Sequence, residues 1–554
     1  MKYVYFLLFL GIVFGCKDGQ ESAFGSDISE DPANISKGKT LFAQHCSACH
    51  NFKNTGIGPA LGGITTEVST EWLKKMITDA SALLAANDSR ATTLKERFMT
   101  VMPSFTNLDS TELNALLAYM HTKKKNSIKG VDQPGALTDP IPNQISFDSI
   151  PITIQYLAQV PASSEKSPLA RINKIGCEPN SGRLFTNDLR GILYEITDTV
   201  AKPFFNLRER QPHFISEPGL ATGFGSFAFH PDFERNGLLY TTHTEPKGTA
   251  TPDFTYADSI PKRLQWVLKE WKVEDFQTPK IAIKSRELLR IDFYGTIHGM
   301  QEIAFNPDAN RQSIDYGKLY IGLGDGSSVE NGHKEIAHHH GNGVWSSILR
   351  IDPLGNNSSN NMYGIPEDNP FAKHREKIGE VWAYGFRNPN RLSWDGDGAL
   401  YATDIGHNNI EELNRILPGH FYGWPIREGT FLLNPDQAMD KLYPLPEDDE
   451  QSGVTYPVLQ YDHSEGAAIS GGFFVKKGSD PQSYIFGDIP TGYVYKGDVN
   501  SGRIYRLNVS LNDTIKTFAA ISGAKRVDLR LGSDCAGSGY LFTKADGKIY
   551  KMMD

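Results

Sequence analysis

A short phrase that recurs six times between residues 145 and 554 constrains the fold more than any other feature of the chain. Each copy joins a turn to a strand-like segment that ends on an aromatic residue. The copies are Gly182–Phe185, Gly237–Tyr240, Gly317–Tyr320, Gly398–Tyr401, Ser483–Phe486 and Gly539–Phe542. Such a unit buries one face only against its neighbours, so four-stranded units closing into a ring are the economical fold. The repeats predict a mainly β region, a six-bladed β-propeller, over residues 145–554.

The copies lie about 55 to 85 residues apart, which leaves room for loops that could build a site. The chain contains 52 glycines, 31 prolines and 23 tyrosines, a composition that favours turns and strands. Cys177 and Cys535 precede the first and last copies at nearly the same place, so a closed ring would make them neighbours. Two outcomes stay open for this pair, a disulfide in an oxidising compartment or two buried thiols.

A second strong signal lies near the N-terminus, where Cys46, Cys49 and His50 form a C-x-x-C-H motif. In this motif the two thiols attach covalently to haem and the histidine is an axial ligand of the iron. A zinc site would need two further ligands, and none lies nearby in the sequence. The motif therefore predicts one covalently bound haem c.

Helical patterns flank this motif. One helix is expected to begin at a Ser36 cap, and another to cover Ser110 to Lys123 with Asp109 or Ser110 as its cap. Gly58-Pro59 resembles the loop that covers the haem edge in class I cytochromes c. The order of motif, loop and helices resembles that family, which implies a small all-α domain over residues 33–125.

The second axial ligand should be a thioether from a loop on the opposite haem face. Met102, which is followed by Pro103, is the predicted ligand. Met99 and Met76 are the alternatives, because a buried methionine is often only a filler of the core.

The first residues have the layout of an export signal, with Lys2, an apolar run from Val4 to Gly15 and then Cys16. The run is too short for a stable transmembrane helix. Val13-Phe14-Gly15-Cys16 resembles a bacterial lipobox, so residues 1–16 predict a lipid anchor at Cys16 in the periplasm or at the cell surface. The alternative is an ordinary signal peptide that is cut a few residues later.

Residues 17–32 are expected to form a flexible polar leader, and residues 126–144 a linker containing glycine and proline. The formal net charge is −9. An acidic chain argues against a nucleic-acid partner, which requires a basic face.

Five phrases of the β region are similar to the soluble glucose/sorbosone (aldose sugar) dehydrogenases. They are Phe227–Phe233, Ile348–Pro353, Ile365–Phe371, Trp382–Pro389 and Tyr422–Pro425. The resemblance implies a six-bladed propeller that holds pyrroloquinoline quinone (PQQ) with calcium and oxidises the C1 hydroxyl of aldoses to lactones.

Residue by residue, the resemblance makes His298 the catalytic base, a role that suits imidazole because it titrates near neutral pH. The implied PQQ-binding residues are Arg387, Asn388 and Arg526. The implied calcium ligands are the backbone carbonyls of Gly406 and His407.

The chain departs from the family pattern at four places. Residues 525–530 retain one basic contact where two arginines are usual, and residues 488–492 contain no cofactor lysine. Ala221-Thr222 replaces the substrate-side glutamine, and Ile297 stands where an acidic residue often precedes the catalytic histidine.

The combined expectation is a quinohaemoprotein-type oxidoreductase that oxidises a sugar at PQQ and passes electrons to its own haem c. A respiratory-chain acceptor would then reoxidise the haem, since each cofactor supplies what the other lacks. The alternative is a non-catalytic docking or carbohydrate-binding propeller whose haem domain relays electrons for another enzyme.

Overall fold

A computed structural model describes residues 27–553 apart from 48, 53–57, 99–100, 107, 125–134, 166, 277–279, 437–438, 476–481 and 525. The predicted signal with Cys16, most of the leader, part of the linker and Met99 therefore lie outside the described residues. Among the residues described, no helix is both long and apolar enough to cross a membrane.

The N-terminal unit is all-α within its described residues. Its helices are α1 Pro32–His45, α2 Ile64–Glu67, α3 Thr70–Ala85, α4 Ser89–Phe98 and α5 Ser110–His121. The start predicted at Ser36 is wrong, because Asp31 caps α1 through the backbone N–H of Ala33 and Pro32 suits the first helical turn. Of the two caps considered for α5, the structure has Asp109, which forms a capping box with Glu112.

Helices α1 and α5 pack closely against each other. A Cβ atom at Gly38 would lie 1.9 Å from the carbonyl oxygen of Ala115, so only glycine permits this approach. Leu41 and Phe42 of α1 are buried in one cluster with Leu116 of α5. This apolar contact holds the two helices on either side of the haem motif.

The rest of the chain is mainly β. Its first strands are β1 Ile152–Gln159, β2 Ile172–Cys177, β3 Leu184–Asp188, β4 Ile192–Thr197, β5 Val200–Asn206, β6 Ser226–Phe229, β7 Leu238–Pro246, β8 Leu264–Asp275, β9 Lys280–Phe293, β10 Glu302–Phe305, β11 Leu319–Leu323, β12 Ser347–Ile351, β13 Val381–Tyr384, β14 Pro389–Trp394 and β15 Leu400–Asp404. The later strands are β16 Ile410–Arg415, β17 Arg427–Glu428, β18 Phe431–Leu433, β19 Leu442–Tyr443, β20 Leu459–Asp462, β21 Ile469–Phe474, β22 Ser483–Asp488, β23 Val494–Asp498, β24 Arg503–Leu507, β25 Val509–Leu511, β26 Thr514–Lys516, β27 Leu529–Ser533, β28 Gly539–Thr543 and β29 Lys548–Met552. Three short helices lie between strands, α6 Leu207–Arg210, α7 Phe233–Asn236 and α8 Phe518–Ser522.

The strands form antiparallel units of four. Four units are separate sheets: β6–β9, β10–β13, β14–β16 with β20, and β21–β24. The strands β2–β5 and the strands β27–β29 belong to one larger sheet, in which β1 pairs antiparallel with β29. The small sheet β17–β19 lies outside these units.

The six repeated phrases occupy equivalent places, because they begin or immediately precede β3, β7, β11, β15, β22 and β28, the second strand of each unit. The first strands contact one another in the cyclic order β2, β6, β10, β14, β21, β27 and back to β2. The β region is therefore a closed propeller. Because β1–β5 and β27–β29 share one continuous sheet, six as the number of blades stays a prediction.

A disulfide joins the two ends of the ring. Cys177 at the end of β2 is bonded to Cys535 after β27, with their Cα atoms 5.7 Å apart. The structure therefore has the first of the two outcomes left open for this pair. The two cysteines are 358 positions apart in the sequence, and the segment between them includes nearly the whole propeller.

Candidate functional site

The two regions of the molecule enclose a common cavity of about 1160 Å³. From the haem domain, Cys46, Cys49, His50 and Met102 line it. From the propeller, the lining includes His298, Arg387, Asn388, Gly406, His407 and Arg526. All the site residues that the sequence predicted therefore meet at one cavity.

The antiparallel pairing of the strands explains why distant residues converge there. In a hairpin, the start of the first strand and the end of the second lie at the same edge. Arg387 and Asn388 precede β14, and Asp404 ends β15, which pairs with β14 so that Asp404 lies opposite Pro389. His298 precedes β10 and Asp325 follows β11 in the same way. The chemistry of the propeller therefore gathers at one face of the ring.

One ring nitrogen of His50, the predicted axial ligand, is held by the protein. Its Nδ1 lies 2.9 Å from the carbonyl oxygen of Pro59, to which it can donate a hydrogen bond. This contact leaves Nε2 as the nitrogen that can bind iron. A Cβ at Gly58 would lie 2.3 Å from the His50 ring, so glycine lets the loop approach the imidazole.

A second cavity of about 340 Å³ lies within the haem domain and is lined by the predicted attachment residues and by apolar side chains. The apolar side chains include Leu73, Ile77, Leu94 and Leu116. Two cysteines, one suitably held histidine and an apolar pocket are the groups that haem c requires. The residues present therefore fit a covalently bound haem.

The position of the second axial ligand remains a prediction. Met102 lines both the haem pocket and the large cavity, whereas Met76 lines only the haem pocket. Met99 lies outside the described residues.

His298 has the surroundings of a general base. Its Nδ1 lies 2.8 Å from Oδ1 of Asp325, and both side chains are buried. Burial, followed by the charge of Arg387, lowers the pKa of His298 below 6.5, although Asp325 opposes the shift. The residue also has φ of 55°, a left-handed conformation that non-glycine residues adopt mainly where the structure imposes it. Because its pKa is lowered, the imidazole is neutral near pH 7. Because Nδ1 contacts Asp325, Nε2 is the nitrogen that can accept a proton.

Arg387 and Asn388 are fixed through one buried carboxylate. Asp404 accepts hydrogen bonds from both of their backbone N–H groups, at 2.9 and 2.5 Å. The Arg387 guanidinium donates to the carbonyl of Gly406 at 2.5 Å and lies 3.6 Å from Glu330. Nη2 is the atom that faces Glu330, but it makes no hydrogen bond within the described part of the chain and can therefore still donate to a ligand.

The sequence analysis expected one basic contact from residues 525–530, but more cationic side chains line the same cavity. Arg171, Arg530 and Lys544 line it together with Arg526. Burial lowers the pKa of Arg530 to about 9 and of Arg171 to about 10. Burial and then the charge of Arg530 lower the pKa of Lys544 well below its usual value.

Burial is the largest cause of all three shifts, and the charges of neighbouring cations add to it. Asp528 pairs with Arg526, with Nε and Oδ1 3.0 Å apart. An anionic ligand with several carboxylates would favour the charged forms of these buried cations. The residues present therefore fit a quinone such as PQQ.

One of the two predicted calcium ligands, the Gly406 carbonyl, already has a partner. The carbonyl of Gly406 accepts from Arg387, and the His407 side chain is buried with Nδ1 3.3 Å from Glu330. Among the described residues, no cluster of three His, Cys, Asp or Glu side chains could hold a metal ion. Calcium at this loop would require the Gly406 carbonyl to turn away from Arg387.

Two family models match the chain. The glucose/sorbosone dehydrogenase model covers residues 182–551, and the cytochrome c model covers residues 35–124. The chain belongs to the glucose/sorbosone dehydrogenase family. The cytochrome c domain fused to this dehydrogenase-family propeller implies haem c.

Individual relatives match this family member over part of their length. The HIPL2 protein of Arabidopsis thaliana is 30% identical over 56% of this chain and 49% of its own length. Quinoprotein glucose dehydrogenase B of Acinetobacter calcoaceticus is 25% identical over 39% of this chain and 42% of its own length. The match thus spans about half the length of these two relatives, or less.

Among solved structures, the PQQ-bound form of aldose sugar dehydrogenase from Streptomyces coelicolor is 20% identical to this family member. The match covers 72% of this chain and 97% of that chain, with a TM-score of 0.48.

Several site residues of this dehydrogenase-family propeller escaped the sequence analysis. They are Asp325, Glu330, Asp404, Arg530 and Lys544. No local motif marks them, because the fold brings each of them to the site beside residues from distant segments. Asp325 supplies the carboxylate that Ile297 cannot, from a position 27 residues after His298.

Proposed function

We propose that this protein is a quinohaemoprotein-type sugar dehydrogenase that oxidises the C1 hydroxyl of an aldose at PQQ and reduces its own haem c. The observation that carries the proposal is the shared cavity, which brings His298 and the cationic cluster to the haem-attachment residues. The name of the Acinetobacter relative, a quinoprotein glucose dehydrogenase, supports the cofactor and the substrate class.

When bound, the quinone supplies an acceptor for a hydride, and the haem supplies an acceptor for single electrons. His298 Nε2 takes the hydroxyl proton of the sugar, while Asp325 holds the ring and stabilises the imidazolium that forms. Arg387, Asn388, Arg526, Arg530 and Lys544, which line the cavity, would hold the carboxylates and carbonyl oxygens of the quinone.

The electron count sets a requirement on the haem domain. Oxidation of one aldose to its lactone releases two electrons and two protons, whereas the single haem accepts one electron at a time. A downstream acceptor must therefore oxidise the haem between the two transfers. Met102 and His50 are proposed as its axial ligands, with attachment through Cys46 and Cys49.

We also propose that the protein is exported and lipid-anchored at Cys16. The disulfide between Cys177 and Cys535 supports an oxidising compartment. Metabolic labelling with a fatty-acid analogue tests the anchor, and the label should be lost in Cys16→Ala. Equal labelling of this variant and the parent would reject the anchor.

Calcium is proposed as a second requirement of the quinone site, at the carbonyls of Gly406 and His407. The support is the family resemblance alone, since Arg387 now contacts the Gly406 carbonyl. Quinone binding should weaken in the presence of a calcium chelator if the ion is needed. Unchanged binding in chelator would remove calcium from the account.

A titration of the full-length, haem-loaded protein with PQQ and calcium tests the proposed function. Protein fluorescence should be quenched to saturation, and aldose should then reduce the haem. Arg387→Gln should bind the quinone roughly 10- to 150-fold more weakly, the equivalent of losing one charge-assisted hydrogen bond of about 1.5–3 kcal/mol.

If the parent protein binds no quinone in this titration, the dehydrogenase proposal fails. The propeller would then be a docking or carbohydrate-binding module beside an electron-relay haem. Binding of PQQ without any haem reduction by a panel of aldoses would reject the sugar substrate and keep the cofactor.

A further inference from the structure

Arg526 lies where the two cavities of the molecule meet. Its side chain lines the large cavity over the propeller and also the haem pocket. All other described residues that line the haem pocket lie between residues 46 and 120. Arg526 is therefore the propeller residue that reaches into the lining of the haem pocket.

The position of this guanidinium is fixed from the propeller side. Nε of Arg526 donates to Oδ1 of Asp528 at 3.0 Å, and the two side chains are 25% and 14% exposed. The guanidinium is close enough to Cys49 for its charge to act on the sulfur that attaches the haem. An arginine remains protonated at all working pH values, so this positive charge is permanent.

Among the described residues, contacts at two places hold the haem domain over Arg526. Arg263 donates to Oγ of Ser47, which lies between the two attachment cysteines, at 2.8 Å. Arg97 of the haem domain lies 3.8 Å from Asp440 of the propeller. The face that carries the C-x-x-C-H motif is thus turned toward the propeller, with Arg526 beneath it.

We propose that Arg526 couples the two cofactor sites, because it holds the quinone on one side and raises the reduction potential of the haem on the other. The claim that Arg526 holds the quinone, the quinone half of the proposal, rests on the proposed function. The claim that Arg526 raises the potential of the haem, the haem half, requires only that the haem is attached. A fixed positive charge beside the iron disfavours the ferric state more than the ferrous state, which carries one positive charge less. The propeller therefore makes the docked haem a better electron acceptor.

Potentiometric titration of the full-length, haem-loaded, quinone-free protein tests the haem half. Arg526→Gln should lower the midpoint potential of the haem, and Arg526→Lys should stay close to the parent because it keeps the charge. Arg530→Gln is the matched control, since Arg530 lines the large cavity but not the haem pocket. The control should leave the potential unchanged.

The far-red band of sulfur-ligated ferric haem separates a charge effect from a change of ligand. It should persist in Arg526→Gln, whose circular dichroism spectrum should match that of the parent. An unchanged potential in Arg526→Gln, an equal fall in Arg530→Gln, or loss of the band together with the potential would overturn the proposal.

A second variant tests whether docking carries the effect. Arg97→Gln/Arg263→Gln removes both described contacts between the domains and should shrink the difference in potential between parent and Arg526→Gln. A difference that stays at full size would contradict the coupling. A parent that binds no PQQ but shows the predicted potentials would reject the proposed function and leave the haem half standing.

Discussion

In the haem domain, the groups that attach the cofactor lie within the five residues from Cys46 to His50. In the propeller cavity, the chemistry comes from Arg171, His298, Arg387 and Lys544, which lie on four different units of the ring. Attachment of haem is local and covalent, so a short motif is enough. The proposed binding of the quinone would be non-covalent and would depend on a charge cluster that only the closed ring assembles.

Met102→Ala gives the sharpest test of the haem domain, because it tests the predicted axial ligand. The far-red band of the ferric haem should disappear completely while the haem stays covalently attached, because the thioether ligates iron and the cysteines make the bonds. Met76→Leu is the control and should keep the band. Survival of the band in Met102→Ala, with its loss in Met99→Leu, would assign the ligand to Met99.

The sequence predicted the fold of both regions because their signals repeat or cluster. The six phrases recur at equivalent second strands, and Asp109 carries its own capping box. The start of α1 was placed too late, because Asp31-Pro32 lies outside the apolar pattern that suggested Ser36. The apolar pattern predicts where the buried face of this helix lies, whereas the Asp31 cap and Pro32 determine where the helix begins.

The candidate site could be predicted only where a phrase contained it. His298 and Arg387 lie in family-like phrases, whereas Asp325 and Lys544 acquire their roles through pairing of strands. The sequence of residues 525–530 does not reveal that Arg530 is a second basic residue of the site, since only the fold shows that it lines the cavity.

In the propeller cavity, His298→Gln should reduce the rate of aldose-driven haem reduction by roughly a hundredfold to ten-thousandfold, since glutamine cannot accept the proton. Quinone affinity should stay near that of the parent, because His298 acts on the sugar. Stopped-flow absorbance of the haem measures the rate. A rate within threefold of the parent would remove His298 as the base.

The pH dependence should reveal the same histidine. The base works when neutral, so the rate should be constant above the pKa of His298 and fall about tenfold per unit as pH drops below it. Because this pKa is lowered by burial and by Arg387, the fall should begin below pH 6.5. Rates measured from about pH 4 to 8 test this expectation.

Asp325→Asn tests whether His298 causes the fall in rate at low pH, the acidic limb of the pH profile. Asp325 raises the pKa of His298 against the effect of burial, so its removal should move the acidic limb to lower pH and lower the plateau. A limb that stays in place, or moves to higher pH, would show that another group titrates.

The most direct test of the account is whether sugar oxidation in the propeller reduces the haem of the same chain. Protein loaded with haem, PQQ and calcium is mixed anaerobically with saturating aldose, and haem reduction is followed over a tenfold range of protein concentration. Because both sites share one cavity, the account predicts a first-order rate constant that is independent of protein concentration. A rate constant that rises in proportion to protein concentration, or a haem that stays oxidised, would contradict it.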